Sequence, residues 1–291
     1  MRRGARGVPP PESPEVTQLS PPFDWRLVPA CTNFKKMKPI RILPVAAALA
    51  IAWLALSALP GGADAGQKVQ ASQDRLTVVE LYTSQGCSSC PPADNLLGQL
   101  ARQSGILALS FHVDYWDYIG WKDPYGSARN SRRQRAYKKS FNRSYVYTPQ
   151  MVLNGMLEVT GSDATAVLAG IKQAARAPKV PIGLSWNSAG DLIISVSGSA
   201  QPALAAIWLA LFDGKIETRV RRGENRGRTI TNYNVVRDFQ KIGDWNGRPK
   251  TLTIAAAKLQ RHKGRSCAVF LQSEMKGPIL GAAAIQLEPQ R

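Results

Sequence analysis

The hydrophobic positions between residues 76 and 114 alternate between strand-like and helix-like patterns. Residues 76–82 (LTVVELY) are rich in β-branched side chains, which predicts a β-strand. Residues 93–103 (ADNLLGQLARQ) place three leucines on one helical face. Residues 106–114 (ILALSFHVD) predict a second strand that is apolar enough to be buried on both faces, as strands of parallel sheets are.

The pattern continues with two further helices and a hairpin. Residues 127–141 predict a basic helix, and Asn154-Gly155 joins two short apolar runs in the manner of a tight β-hairpin. Ser162 is the expected cap of a last helix, which Pro178 ends. These elements predict a small sheet with a parallel half and a hairpin edge, covered by helices.

After Val180 the pattern changes to short alternating runs without helical periodicity. Glycine, asparagine, aspartate or proline turns separate these runs, which is typical of an all-β sandwich, here of about 110 residues. We therefore place a domain boundary within Arg176–Pro181 and predict domains at residues 66–178 and 179–291. The predicted strands lie within residues 182–187, 191–199, 203–213, 251–259, 267–273 and 280–287.

The beginning of the chain has a different composition. Residues 1–36 are rich in proline and turn-forming residues, which predicts a disordered extension or a true start at Met37. Residues 37–65 combine a basic start, an apolar run and small residues before a cleavage site, the pattern of a signal peptide. The alternative is an uncleaved membrane anchor of about 18 residues. We expect a periplasmic or secreted protein that meets the membrane, if at all, only through this segment.

The charge balance is strongly basic. The formal net charge is +18, and +14 remains once residues 1–65, with eight basic and four acidic residues, are removed. Such a charge favours anionic partners, but an exported protein is not expected to bind nucleic acid. We therefore expect no nucleic-acid partner and a solvated basic surface. The densest basic segment, Arg219–Arg228, is either a solvated hairpin or an anion site.

Cys87 and Cys90 are spaced so that they can bridge on the first turn of a helix. Gly86 allows a tight turn before them, and Pro91 suits a first helical turn. The helix dipole would stabilise a thiolate there and lower its pKa. The alternative is a structural disulfide. In the loop-closure model so short a loop contributes only about 2 kcal/mol, which favours redox chemistry. Cys267 lies in an apolar strand and is expected to be buried and inert.

Three segments together carry a family resemblance: VELYTSQGCSSCPPAD, HVDYWDYIGWKDP and YTPQMVLNG. The chain resembles the DUF1223 family of exported bacterial proteins, a domain of unknown function with a thioredoxin-like core. The resemblance extends over roughly residues 76–290. It implies an α/β thioredoxin-like domain followed by an all-β sandwich-like domain.

The same resemblance implies roles for individual residues. Cys87 would be the exposed nucleophile and Cys90 the resolving thiol, while Thr148 and Pro149 would form the cis-proline loop that receives the substrate chain. Glu80 would be the buried acid that accepts the proton of the second thiol. The alternative for Glu80 is a place on the solvated face of an edge strand.

His112 and Trp116 lie just past the end of the second predicted strand, where α/β sheets place their sites. Trp116 would form a wall of the substrate site or simply pack in the core. His112 could join Cys87 and Cys90 in a copper or zinc site, since imidazole and thiolate suit those metals. A fourth ligand is not evident, so we predict no metal and no cofactor.

The leading hypothesis is an exported thiol-disulfide oxidoreductase that acts on protein thiols or disulfides. Two alternatives remain open at this point. One is a binding module with an inert structural disulfide, and the other is a metal-delivery protein that uses the cysteine pair.

Overall fold

The computed structural model describes residues 76–200, 204–259, 265–273 and 277–287. They all belong to one compact unit, residues 62–291. The predicted extension and signal peptide, residues 1–65, lie outside the described residues. Within the described ranges, no helix is both long and apolar enough to cross a membrane.

The first half of the described chain follows the predicted order of elements. Ser127 caps the second helix by accepting a hydrogen bond from the backbone N–H of Arg129. The cap of the third helix is Asp163 rather than Ser162, because its carboxylate accepts from the backbone N–H of Ala166. The elements are β1 (Thr77–Thr83), α1 (Pro91–Leu100), β2 (Ile106–His112), a 3-10 helix (Asp117–Ile119), α2 (Ala128–Ser140), β3 (Gln150–Leu153), β4 (Leu157–Thr160) and α3 (Ala164–Ala175).

The predicted hairpin is confirmed. β3 and β4 pair antiparallel, with Leu153 opposite Leu157. Asn154 and Gly155 have φ angles of 53° and 66°, the left-handed conformation that a two-residue hairpin turn requires.

The second half is built from strands, as predicted, but its lengths differ from the expectation. Two strands are much longer than average, and residues 256–259 form a short helix instead of a strand continuation. The elements are β5 (Ile182–Trp186), β6 (Leu192–Val196), β7 (Ala205–Arg219), β8 (Thr229–Trp245), β9 (Lys250–Ile254), α4 (Ala256–Leu259), β10 (Ser266–Gln272) and β11 (Ile279–Gln286).

The expected fold class, an α/β thioredoxin-like domain followed by an all-β sandwich-like domain, is wrong. Strands from both halves of the chain form one eight-stranded mixed sheet in the order β11-β10-β7-β8-β2-β1-β3-β4. A separate three-stranded sheet has the order β5-β6-β9. The fold is therefore mostly β, with few helices. The boundaries predicted at 66–178 and 179–291 stay a prediction.

Strand β8 is the reason for this difference. It pairs antiparallel with β7 over almost its whole length and meets β2 in parallel, with Val235 opposite Ser110. Its sequence, TITNYNVVRDFQKIGDW, is largely polar and was not predicted as a strand. Asn234 has a φ of 48°, and its side-chain amide donates to the backbone carbonyl of Ala108.

The large sheet is covered on both faces. Helices α1 and α3 pack on one face of β1, while Tyr137 of α2 packs on the opposite face. The small sheet packs against alternate residues of β7, β10 and β11. Helix α1 also lies close to β8. A Cβ added at Gly98 of α1 would be only 2.3 Å from the ring of Tyr233, so this approach requires a glycine.

Candidate active site around the Cys87–Cys90 disulfide

The two cysteines lie where β1 passes into α1. Cys87 and Cys90 form a disulfide with a Cα–Cα distance of 5.5 Å. Cys90 is the N-cap of α1 and already has helical angles, φ −79° and ψ −35°. Pro91 and Pro92 occupy the first helical positions, where a missing N–H costs little. The predicted helix start at the cysteine pair is confirmed.

The sulfur of Cys87 has polar neighbours. Its Sγ lies 3.9 Å from the carbonyl oxygen of Thr148 and 3.3 Å from the hydroxyl of Ser89. The Thr148-Pro149 peptide bond is cis. The indole N–H of Trp116 donates to the Thr148 hydroxyl at 2.8 Å. The structure thus brings Cys87, Thr148, Pro149 and Trp116 together.

The backbone amides at this helix start are mostly engaged. The two prolines have no N–H, and the amides of Ala93 and Asp94 donate to the carbonyl of Cys90. The amide of Ser88 donates to the carboxylate of Glu224 at 3.1 Å. Most of the amides that were expected to stabilise a thiolate therefore already have an acceptor.

The tip of the β7–β8 hairpin, residues 221–226, packs on the cysteine turn; we call it the hairpin tip. Backbone hydrogen bonds of Val220 to Gly227 and Arg228 close it. The fully buried Asn225 donates to the carbonyl oxygens of Gln85 and Cys87 at 3.0 and 2.9 Å. Cys87 is only 1% exposed and Cys90 is fully buried, so the expectation that Cys87 is exposed is wrong.

Glu80 lies in a central strand and is fully buried, so the alternative of a solvated edge position is wrong. Its carboxylate accepts two hydrogen bonds from Arg133, at 2.6 and 2.8 Å, and others from Tyr82 and Tyr137. Arg133 and Tyr137 belong to α2, on the opposite face of β1 from α1. This position gives no support to Glu80 as the proton acceptor, and that role stays a prediction.

His112 is also fully buried. Its Nδ1 lies 2.7 Å from a carboxylate oxygen of Asp123, which also accepts from the amide of Gln85. Burial lowers the pKa of His112, but the Asp123 carboxylate outweighs this effect, and the pKa is raised. Conversely, burial raises the pKa of Asp123, but His112 outweighs it, and that pKa is lowered. The two groups form a buried ion pair.

A buried polar cluster lies under α1, beside this ion pair. Asp94 is one helical turn beyond Cys90 and 2% exposed. Burial raises the pKa of Asp94 to about 7, although nearby His112 opposes the shift. The polar side chains of Thr83 and Asn232 also act to lower the pKa of Asp94, although neither makes a full hydrogen bond to it. Five side chains of the cluster have a buried polar atom without a partner among the described residues: Thr83, Asp94, Ser110, His112 and Asn232.

Such groups are uncommon in folded proteins, because each unsatisfied buried atom costs roughly 1–3 kcal/mol. Cys90, the N-cap of α1, and Asp94 are both buried and four residues apart, the spacing at which side chains share one face of a helix. The cluster therefore places an acid that can lose its proton near neutral pH next to the more deeply buried cysteine.

Sequence reasoning missed the residues that surround the predicted ones. Asp94 was within reach, since a residue four positions after Cys90 shares its helical face. No local signal could identify Glu224 and Asn225, which reach the cysteines from about 135 residues away. Within the described part, no three His, Cys, Asp or Glu side chains are grouped so that they could hold a metal ion.

Cys267 lies in β10 and is fully buried. Burial raises the pKa of its thiol to about 12. The expectation of a buried, inert thiol agrees with this environment, and Cys267 takes no part in the site.

Comparison with known proteins gives a family but no activity. The model of the DUF1223 family, described as a protein of unknown function, matches residues 78–272. The crystal structure of protein AGR_C_4864 from Agrobacterium tumefaciens is 32% identical, with a TM-score of 0.63. The match covers 76% of this chain and 97% of that chain. No curated protein matches the chain.

A second solved structure, an endonuclease/exonuclease/phosphatase from Beutenbergia cavernae DSM 12333, is 22% identical. It covers 37% of this chain and 23% of that chain, and its TM-score of 0.18 carries no information about fold or function. The family match includes both cysteines, the Thr148-Pro149 bond and the hairpin tip. The chain belongs to the DUF1223 family.

Proposed function

We propose that this protein is an exported thiol-disulfide oxidoreductase that acts on protein thiols or disulfides in the periplasm or outside the cell. One observation carries the proposal. The Cys87–Cys90 disulfide lies at the start of α1, and the Cys87 sulfur lies 3.9 Å from the carbonyl oxygen of Thr148, next to the cis Pro149. The signal-peptide pattern of residues 37–65 supports export.

In the oxidising direction, a client thiolate attacks Cys87 Sγ, and the Cys87–Cys90 bond breaks. Cys90 leaves as a thiolate and takes up a proton. A second client thiolate then attacks the client sulfur of the mixed disulfide, and Cys87 leaves. The client dithiol loses two electrons and becomes a disulfide, while the protein pair becomes a dithiol. The reducing direction is the reverse, and the reduction potential of the partner sets which one runs.

A second candidate function also has an observation in its favour. Both cysteines are almost completely buried, as structural disulfides are. In this case the protein would be a binding module whose short disulfide contributes about 2 kcal/mol to stability.

Trapping of a mixed disulfide tests the first candidate. We expect a Cys90→Ser variant in a Cys267→Ala background to form a mixed disulfide through Cys87 with exported proteins, because the resolving thiol is absent. Non-reducing electrophoresis and mass spectrometry would identify the linked proteins. The matched control is the same chain with Cys87→Ser in addition.

If the two chains give the same pattern, no client is bound through Cys87, and the oxidoreductase proposal fails. The binding module then predicts that reduction lowers the melting temperature while a bound partner stays bound.

A further inference from the structure

We propose that the hairpin tip is the surface by which this protein binds its clients, and that it selects acidic protein segments that carry a thiol or a disulfide. The inference rests on the proposed function, since it names the class of client for the same cysteine pair. It is carried by the contacts of the tip and by its charge.

The tip contacts the cysteine turn through its only acidic residue and through Asn225. The amide of Asn225 holds two carbonyls of the turn, and its oxygen accepts from Arg228 at 3.0 Å. The carboxylate of Glu224 accepts from the Ser88 amide. Cys87 is 1% exposed and its backbone carbonyl is bonded to Asn225, so a client that approaches the cysteine turn meets this tip.

Glu224 shows what kind of group the cysteine turn accepts. The Glu224 carboxylate already accepts a hydrogen bond from the Ser88 N–H. Ser88 lies between the two cysteines, one of which must become a thiolate. Ser88 and Ser89 are exposed, so the turn can be reached once Glu224 leaves. An aspartate or glutamate of the client can then take the same amide, in the same way as Glu224 does.

The rest of the tip is cationic. Arg221, Arg222 and Arg226 are exposed, and Arg228 is exposed just beyond the tip. Displacement of Glu224 leaves this cluster unopposed beside the disulfide. Complementary charge raises the rate of encounter and suppresses wrong partners, and salt screens the effect. An acidic segment fits this surface, whereas a neutral or basic one gains nothing from it.

The experiment uses two disulfide-containing peptides that differ only in the residues flanking the cysteines, glutamates in one and glutamines in the other. The rate of exchange with the reduced full chain is measured for each peptide at low and high salt. The chains are wild type and an Arg221→Gln/Arg222→Gln/Arg226→Gln variant. The matched control removes three exposed basic residues away from the tip, Arg102→Gln/Lys172→Gln/Arg176→Gln.

We expect wild type and the control to react about tenfold faster with the acidic peptide at low salt, and the ratio to fall as salt rises. We expect the tip variant to react with both peptides at rates within about twofold of each other. A ratio near one in wild type, or an undiminished ratio in the tip variant, overturns the inference.

Reduction of the same chains, in their oxidised form, by dithiothreitol, a small uncharged dithiol, is measured as well. If the chain exchanges with dithiothreitol and with both peptides, but at equal rates for the acidic and the neutral peptide, the inference is overturned and the proposed function stands. No exchange with any of the three reagents overturns the proposed function together with the inference.

A Glu224→Gln variant gives a second measurement that does not depend on peptides. Loss of the carboxylate weakens the hold of the tip on the Ser88 amide, because charge-assisted hydrogen bonds are the stronger kind. We expect the reduced variant to react with iodoacetamide at Cys87 several-fold faster than wild type. An unchanged rate contradicts the role of Glu224 in closing the site.

Discussion

The two faces of strand β1 differ in how their buried charged groups are paired. On the face covered by α2, the carboxylate of Glu80 has a bidentate arginine and two tyrosine hydroxyls. On the face covered by α1, Asp94 and His112 each keep a buried polar atom without a partner among the described residues. In the first arrangement the carboxylate is fully paired, and only Nη1 of Arg133 lacks a partner among the described residues. In the second the carboxyl group of Asp94 itself keeps an oxygen without a partner.

The pairing of a buried acid separates a role in packing from a role in proton transfer. Removal of one partner of a buried ion pair is strongly destabilising, so the paired Glu80 belongs to the packing of α2 on the sheet. A buried acid with a pKa of about 7 can gain or lose a proton near neutral pH, which suits a general acid or base. We therefore expect Asp94, which lies on the α1 side of β1, rather than Glu80 to exchange a proton with Cys90.

The largest expected effect comes from breaking the satisfied face. Replacement of Arg133 by methionine leaves the Glu80 carboxylate buried without its cation. We expect a loss of about 3–5 kcal/mol in the free energy of unfolding. Chemical denaturation measures it, and Arg132→Met, an exposed neighbour on the same helix, is the control. A loss below about 1 kcal/mol would show that the pair is not what holds α2 on the sheet.

The next effect is a dependence of stability on pH that originates in Asp94. The folded protein holds the Asp94 proton up to about pH 7, whereas the unfolded chain releases it near pH 3.8. The stabilisation is therefore fully present below pH 3.8 and is lost as the pH rises through 7. It amounts to about 4 kcal/mol.

We expect Asp94→Asn to remove most of this change from the curve of unfolding free energy against pH. Asp163→Asn is the control, since asparagine caps a helix as well as aspartate does. The raised pKa of His112 also makes the folded protein less stable as the pH rises. The Asp94→Asn variant should therefore keep a smaller fall in unfolding free energy, which ends once His112 has lost its proton. Identical slopes in wild type and Asp94→Asn would mean that Asp94 is not the titrating group.

A smaller effect tests the packing that buries this face. A Cβ at Gly98 would meet the Tyr233 ring at 2.3–2.7 Å. We expect Gly98→Ala to cost about 1–3 kcal/mol, because an overpacked contact must shift the half-buried Tyr233 ring. Gly214→Ala is the control, since nothing lies within 4 Å of its Cβ position. Thermal melting of both variants measures the difference, and equal melting temperatures would contradict close packing of α1 on β8.

Local patterns were sufficient for the elements around the cysteines. The strand before Cys87, the helix after Cys90 and the Asn154-Gly155 turn each depend on residues close in sequence. The sequence could not predict that the two halves form one sheet, because this depends on a parallel pairing between β2 and a polar strand about 125 residues later. Glu80 was ambiguous for a related reason, since its burial depends on Arg133 from a helix that is otherwise highly basic.

In the site, too, residues with a local sequence signal were predicted and those from distant segments were not. Cys87, Cys90 and the proline loop stood out from the sequence, whereas the hairpin tip that packs on them did not. A dense run of arginines is compatible with any solvated hairpin. Only the fold shows that this run lies beside a disulfide.

The claim that the Cys87–Cys90 pair exchanges with clients is tested by the reduction potential of the pair. It is measured by equilibrating the full chain with dithiothreitol or glutathione buffers and counting free thiols, with Cys267→Ala removing the third cysteine. A pair that exchanges with clients predicts a potential above about −300 mV. A potential below about −300 mV would contradict the claim and assign the disulfide to stability alone.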